Sequence, residues 1–195
     1  MNIFNIMQIS FKHINNDRIK TCFREVAQQY KTLNNIKISL EKVSVKSSTM
    51  QAQPIISLSS IFTGVKQYRI KLNAHIRDHK ELKIDDVPSQ VLKGWFAHEL
   101  GHIVDYKQHT NLQMIIFGIK YLWSKKFKKK VEHDADYIAI SHGFHQEILA
   151  TKNFIIEHDL IGEKYKRKIL KYYLPKEDVL LCSQDESILE PYLNL

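Results

Sequence analysis

The sequence predicts an α+β fold: an N-terminal helix and a small mixed sheet, followed by a helical half. Three observations carry this. Apolar residues recur with period two between residues 36 and 72, they recur at helical spacing from Pro88 onward, and strands precede helices instead of alternating with them. A chain of 195 residues with 44% hydrophobic and 26% charged residues fits one domain of about 100 to 200 residues with a single core. Six Gly and four Pro, in no tract, exclude collagen-like or linker-like character.

Asn15 or Asn16 offers an N-cap, and Ile19, Phe23, Val26, Ala27 and Tyr30 then follow at helical spacing, so residues 16–31 read as an amphipathic helix. The period-two stretches are Ile36, Ile38 and Leu40, then Val43 and Val45, then residues 55–61, then Tyr68, Ile70 and Leu72. The polar residues 47–53 and Gly64 read as turns, which leaves three or four strands. After Pro88, with Asp85 and Asp86 placed to cap it, comes a helix holding Val91, Leu92, Trp95, Phe96, Leu100, Ile103 and Val104. Further helical patterns cover 112–125, 131–141, 146–158 and 163–174. One domain over 1–195 is expected, with 175–195 a loosely attached tail.

Cys22 and Cys182 lie far apart with no CxxC spacing, which points away from a disulfide framework or a Cys-based metal site and towards a reducing, cytoplasmic compartment. Residues 1–10 lack the basic region and cleavage site of a signal peptide. The most apolar window, 112–123, is too short for a transmembrane helix. The net charge of +8 concentrates in 120–130 and 164–171.

The segment Trp95-Phe96-Ala97-His98-Glu99-Leu100-Gly101-His102 contains HExxH within a helical pattern. Histidines at i and i+4 stand one turn apart on one face, with Cβ atoms roughly 5 to 6 Å apart, so both imidazoles reach one tetrahedral zinc. Glu99 lies beside that pair, where a carboxylate can act as general base on a metal-activated water. A zinc of this type needs a third protein ligand. The extended pattern HExxHxxGxxH fails, because Asp105 and Gln108 stand where Gly and His belong and His109 is out of register. Thirty residues after His102 comes Glu132-His133-Asp134-Ala135-Asp136, with Glu132 and Asp136 on one helical face. One carboxylate there can ligate, while the second accepts the Nδ1 proton of a ligand histidine.

With both segments present, the chain resembles the gluzincins, zinc peptidases that combine HExxH with a glutamate ligand on a second helix. The ExxAD form, Glu132 to Asp136, is similar to that of the HtpX heat-shock protease, the CAAX prenyl endopeptidases and the soluble minigluzincins. The resemblance covers residues 98–141 and implies a zincin-like fold, zinc on His98, His102 and Glu132, Glu99 as catalytic base, and Asp136 in support of a ligand. It also implies an edge strand over the cleft that pairs with extended substrate. Residues 64–73 suit that role, and an interior position for them remains open. A tyrosine or histidine over the oxyanion is expected from Tyr137, His142, His145, His158, Tyr172 and Tyr173, with His133 outside the ligand set.

The function expected is peptide-bond hydrolysis through a metal-activated water, on a peptide or protein substrate. The alternative is a non-catalytic zincin-fold regulatory or binding protein using its basic surface. Intact Glu99 argues against it, and no helix-turn-helix or zinc-finger pattern predicts a nucleic-acid partner. The apolar and lysine-rich stretch 112–130 suits either a cleft wall or a peripheral contact with an anionic membrane.

Overall fold

The computed structural model describes residues 7–45, 48–58, 61–77, 81–193 and 195. It is α+β, a four-stranded mixed sheet followed by a helical half. Strands β1 (Gln8–Lys12), β2 (Lys37–Lys42), β3 (Met50–Pro54) and β4 (Gln67–Leu72) lie in the order β1-β2-β4-β3. The first three in that order run parallel, and β3 is antiparallel to β4.

Helix α1 (Asp17–Gln29) crosses between β1 and β2. It starts because the Asn16 side chain accepts the N–H groups of Arg18 and Ile19, satisfying two donors of the first turn. Its Phe23 ring packs edge-on against Phe96 at 5.2 Å. One sheet face, bearing Ile38, Leu40, Tyr68, Ile70 and Leu72, joins these rings in the core.

The helical half comprises α2 (Ser89–Lys107), α3 (Asn111–Trp123), α4 (Lys125–Ser141), α5 (His145–Glu157), α6 (Glu163–Tyr172) and α7 (Lys176–Gln184). Helix α2 is the axle, contacting α1, α4, α5 and β3, and it is buried all round from Gly94 to Val104. Two glycines let its neighbours approach. A Cβ at Gly94 would collide with the Glu147 carbonyl and Thr151 hydroxyl of α5, and one at Gly101 would lie 2.5 Å from the Ala135 carbonyl of α4.

Several expectations are corrected. Of the stretch 47–53, read as a turn, residues 50–53 belong to strand β3, residue 47 lying outside the described ones; the stretch 55–61 forms no strand among its described residues, 59–60 lying outside them. Residues 64–73 supply β4, an interior strand, so the sheet edge facing α2 is β3. Asp85 does not cap α2: its carboxylate takes the amide of Asn16 at 3.1 Å and pairs with Lys42, while Pro88 occupies the N-cap. For residues 1–10 no element was expected; residues 8–10 belong to edge strand β1, and residues 1–6 lie outside the described ones. The tail is packed: α7 and a 3-10 turn at Glu186–Tyr192 bury Val179, Cys182 and Leu189 against α4 and α5. Among the described residues no helix is long and apolar enough to cross a membrane.

Candidate metal centre

Helices α2 and α4 pack side by side, and their contact explains the site. Gly101 sits between His98 and His102 on α2, as Ala135 sits between Glu132 and Asp136 on α4. Small residues at the crossing bring the two backbones close, so the flanking long side chains meet end to end. Above the same stretch, Tyr30 of the α1 C-cap donates its hydroxyl to the Ala97 carbonyl at 2.7 Å and ties α1 to the turn that carries His98.

The ligand atoms of His98, His102 and Glu132 all lie within 4.8 Å of one another, and the three residues are buried. Glu132 Oε2 is 3.2 Å from His98 Nε2 and 3.5 Å from His102 Nε2. Corners of a tetrahedron around a metal with bonds of about 2.0 to 2.1 Å are separated by ~3.3 Å, so the spacing fits one small cation. His98 Nε2 and Glu132 Oε2 have no well-formed hydrogen bond, an arrangement too costly to bury unless something else satisfies them. The trio could hold a metal ion.

Neighbouring groups fix the ligands. Asp136 Oδ1 lies 2.8 Å from His98 Nδ1, leaving Nε2 to face the centre. Its other oxygen, Oδ2, takes Lys152 Nζ at 2.7 Å and the Leu174 N–H at 3.1 Å. Tyr121 of α3 donates its hydroxyl to Glu132 Oε1, and the Tyr106 ring stacks on His102 at 5.7 Å. His102 Nδ1 has no protein partner among the described residues.

The electrostatics follow from this crowding. Burial pulls the His98 pKa down, but the charge and hydrogen bond of Asp136, with Glu132 behind them, lift it to about 10. Burial opposes ionisation of Glu132 and Asp136 as well, yet the imidazoles, and for Asp136 also Lys152, hold both carboxyls below their ordinary range. Glu99 differs: burial dominates and raises its pKa.

Glu99 points from α2 towards the sheet, where Oε2 accepts the Ala52 N–H of β3. Thr49 and Ile55 bond across to β4, so the alternate residues Met50, Ala52 and Pro54 turn their backbone groups to the free edge. That edge, Glu99, His102, Glu132 and the Ile115 and Leu122 side of α3 line a cleft of about 460 Å³.

Of the six candidate oxyanion donors, Tyr173 alone reaches the cleft and the centre, its ring 5.1 Å from that of His98. Tyr137 stacks on Tyr192, His142 stacks on Tyr30, and Tyr172 receives the Lys128 ammonium on its face. His145 bonds Gln146 at the start of α5, and His158 leans on Phe154. His133 is outside the convergent trio. Sequence reasoning missed Lys152, Tyr121 and Tyr106. For Tyr106 a signal existed, since it lies four residues after His102 and so on the same helical face. No family model, curated protein or solved structure matches the chain.

Proposed function

We propose that this chain is a zinc-dependent peptidase of the gluzincin type, with one zinc on His98, His102 and Glu132. The observation that supports it most is the buried convergence of those three residues, with Glu99 on the same helix as the two histidines reaching to the Ala52 N–H at a free strand edge. Two imidazoles and one carboxylate favour zinc over magnesium or calcium, which prefer oxygen donors throughout. When bound, zinc supplies Lewis acidity, which acidifies water and polarises a carbonyl.

The chain's own residues supply the rest. An extended peptide adds to the free edge of β3, where the Ala52 and Pro54 carbonyls accept its N–H groups. Pro54 has no N–H, so at that position the edge offers only an acceptor. Glu99 takes a proton from the attacking water as its oxygen bonds to the scissile carbon, then delivers it to the amide nitrogen as the C–N bond breaks. The products are a carboxylic acid and an amine, which leave as carboxylate and ammonium once the acid's proton passes to the amine. The Tyr173 hydroxyl donates to the oxyanion, a role supported by the ring's position on the cleft wall, 5.1 Å from that of His98. Asp136, held by Lys152 and the Leu174 N–H, keeps His98 in the ligating tautomer. A reducing, cytoplasmic setting belongs to the same proposal, since Cys22 and Cys182 are both free and buried.

The test is metal content and peptide hydrolysis measured on the same preparations. About one zinc per chain is expected; Glu132→Ala loses it, whereas Glu99→Gln keeps metal and fold and loses turnover. Unchanged turnover in Glu99→Gln refutes the mechanism. A zinc-loaded wild type that cleaves nothing in a broad peptide library favours a non-catalytic regulator.

A further inference from the structure

Helix α3 is built the wrong way round for a soluble surface. Its inward side holds Met114, Phe117 and the partly buried Tyr121. At 100° per residue, Leu122, Ile115, Ile119, Leu112, Trp123 and Ile116 then fan in that order across an outward arc of about 120°. All six are exposed: Leu122 by 80%, Trp123 by 86% and Ile119 by 56%. Polar residues in this helix are confined to a narrow strip at Gln113 and Lys120 and to the first residue. Scattered single apolar residues on a surface need no account, but six contiguous ones on one helix mark an interaction site.

What lies beside the arc identifies the occupant. Lys120 borders it, and Lys125, Lys126 and Lys129, all exposed, follow Trp123 within two turns of α4. A second copy of the chain would bring these lysines against their own counterparts in a molecule already carrying +8. A buried protein interface depletes lysine. An anionic bilayer satisfies both features: acyl chains take the apolar arc and headgroup phosphates take the ammonium groups, the composition of an interfacial helix.

We propose that α3, with the first turns of α4, docks the protein on the surface of an anionic membrane. The helix lies in the interface plane, with Leu122 and Trp123 inserted and Lys120, Lys125, Lys126 and Lys129 at headgroup level. Ile115 and Leu122 also line the cleft, so the cleft mouth opens beside the docked face. This inference stands apart from the peptidase reading, because its test requires no hydrolysis.

The protein carries its own reporter. Trp95 is 7% exposed and Trp123 86%, so a change in tryptophan emission reports on Trp123. Vesicles of phosphatidylcholine with phosphatidylserine should blue-shift the emission and co-sediment the protein at low salt. Binding should be at least ~10-fold weaker to pure phosphatidylcholine, and should weaken with salt. Replacing Ile119 and Leu122 with Gln, or the four lysines with Gln, alters exposed residues only and should weaken binding by ~10-fold or more. Four results would overturn the proposal: no binding to anionic vesicles at low salt; equal binding by the Ile119→Gln, Leu122→Gln variant; full binding without the lysines; or a blue shift that grows with protein concentration in the absence of lipid, which would assign the face to a second copy.

Discussion

Gly101→Ala tests whether the closeness of α2 and α4 sets the metal geometry. The new Cβ would stand 2.5 Å from the Ala135 carbonyl oxygen and 3.2 Å from its Cα, both backbone atoms that no rotamer change can move. A normal contact needs about 3.4 Å or more, so the helices must part by somewhat under 1 Å. Propensity alone favours alanine by about 1 kcal/mol in a helix interior, while overpacking a buried contact costs about 1 to 3 kcal/mol. The net expectation is a loss of ~0 to 2 kcal/mol, a fall of several degrees at most in a chain of this size. The metal should respond more strongly. Glu132 rides on α4 three residues before Ala135, and metal–ligand distances tolerate only about ±0.2 Å, so affinity should drop roughly 10- to 100-fold. Competition against a zinc-sensitive dye, alongside thermal melting, separates the two effects. A variant that melts higher, as propensity alone predicts, and binds zinc as tightly as wild type would refute the packing argument.

Lys152→Met should destabilise the fold by about 3 kcal/mol, the lower end for breaking a buried pair, because Asp136 keeps His98 and the Leu174 N–H. Denaturant titration should also find part of that loss restored when Asp136→Asn is added; a single-variant cost under ~1 kcal/mol would show that the pair is not sealed from water. Asp85 supplies a pH-dependent contribution. Partial burial raises its pKa, but Lys42, Asn16 and Arg18 outweigh this and lower it below 3.8. A depressed folded-state pKa contributes stability above the unfolded value, lost as pH falls through the folded one. Asp85→Asn should therefore cost up to ~1 kcal/mol at pH 7, and its deficit against wild type should shrink as pH drops below 3.8; a deficit constant down to pH 2 in urea melts would assign the cost to something other than charge.

The parts legible in the sequence are those whose signal is local. His98 and His102 meet because four residues make a helical turn, and a strongly apolar segment around them required a helix. Glu132 and Asp136 follow by the same spacing on α4. Where the signal is tertiary, reading failed. Strand β3 reads Met50-Gln51-Ala52-Gln53-Pro54, polar and proline-bearing, and only an edge position makes that acceptable: Pro54 needs no partner on its open side, and Gln53 is held by Arg69 at 3.1 Å. The more apolar stretch beginning at Ile55 looked the better strand and forms none among its described residues. Helix α4 starts six residues earlier than its apolar period indicates, because the Ser124 side chain caps it and the lysine run is helical without being amphipathic. For Lys152 on α5, nothing in the local sequence says that its ammonium is sealed against Asp136.

That lysine bears on the charge balance of a centre that could hold a cation. Among the buried polar residues described, Glu99, Glu132 and Asp136 are acids, while Lys152 is the one amine. Three carboxylates against one ammonium leave two negative charges in a poorly solvated space if all three ionise, a state that burial penalises heavily. The protein can answer with protons or with a metal. Protons are a partial answer: one on His98 satisfies Asp136 and one side of Glu132, but it leaves His102 Nδ1 without a partner and Glu132 Oε2 poorly placed between two ring nitrogens. A divalent cation held by His98, His102 and Glu132 would supply two positive charges there, with Asp136 and Lys152 already neutralising each other behind it.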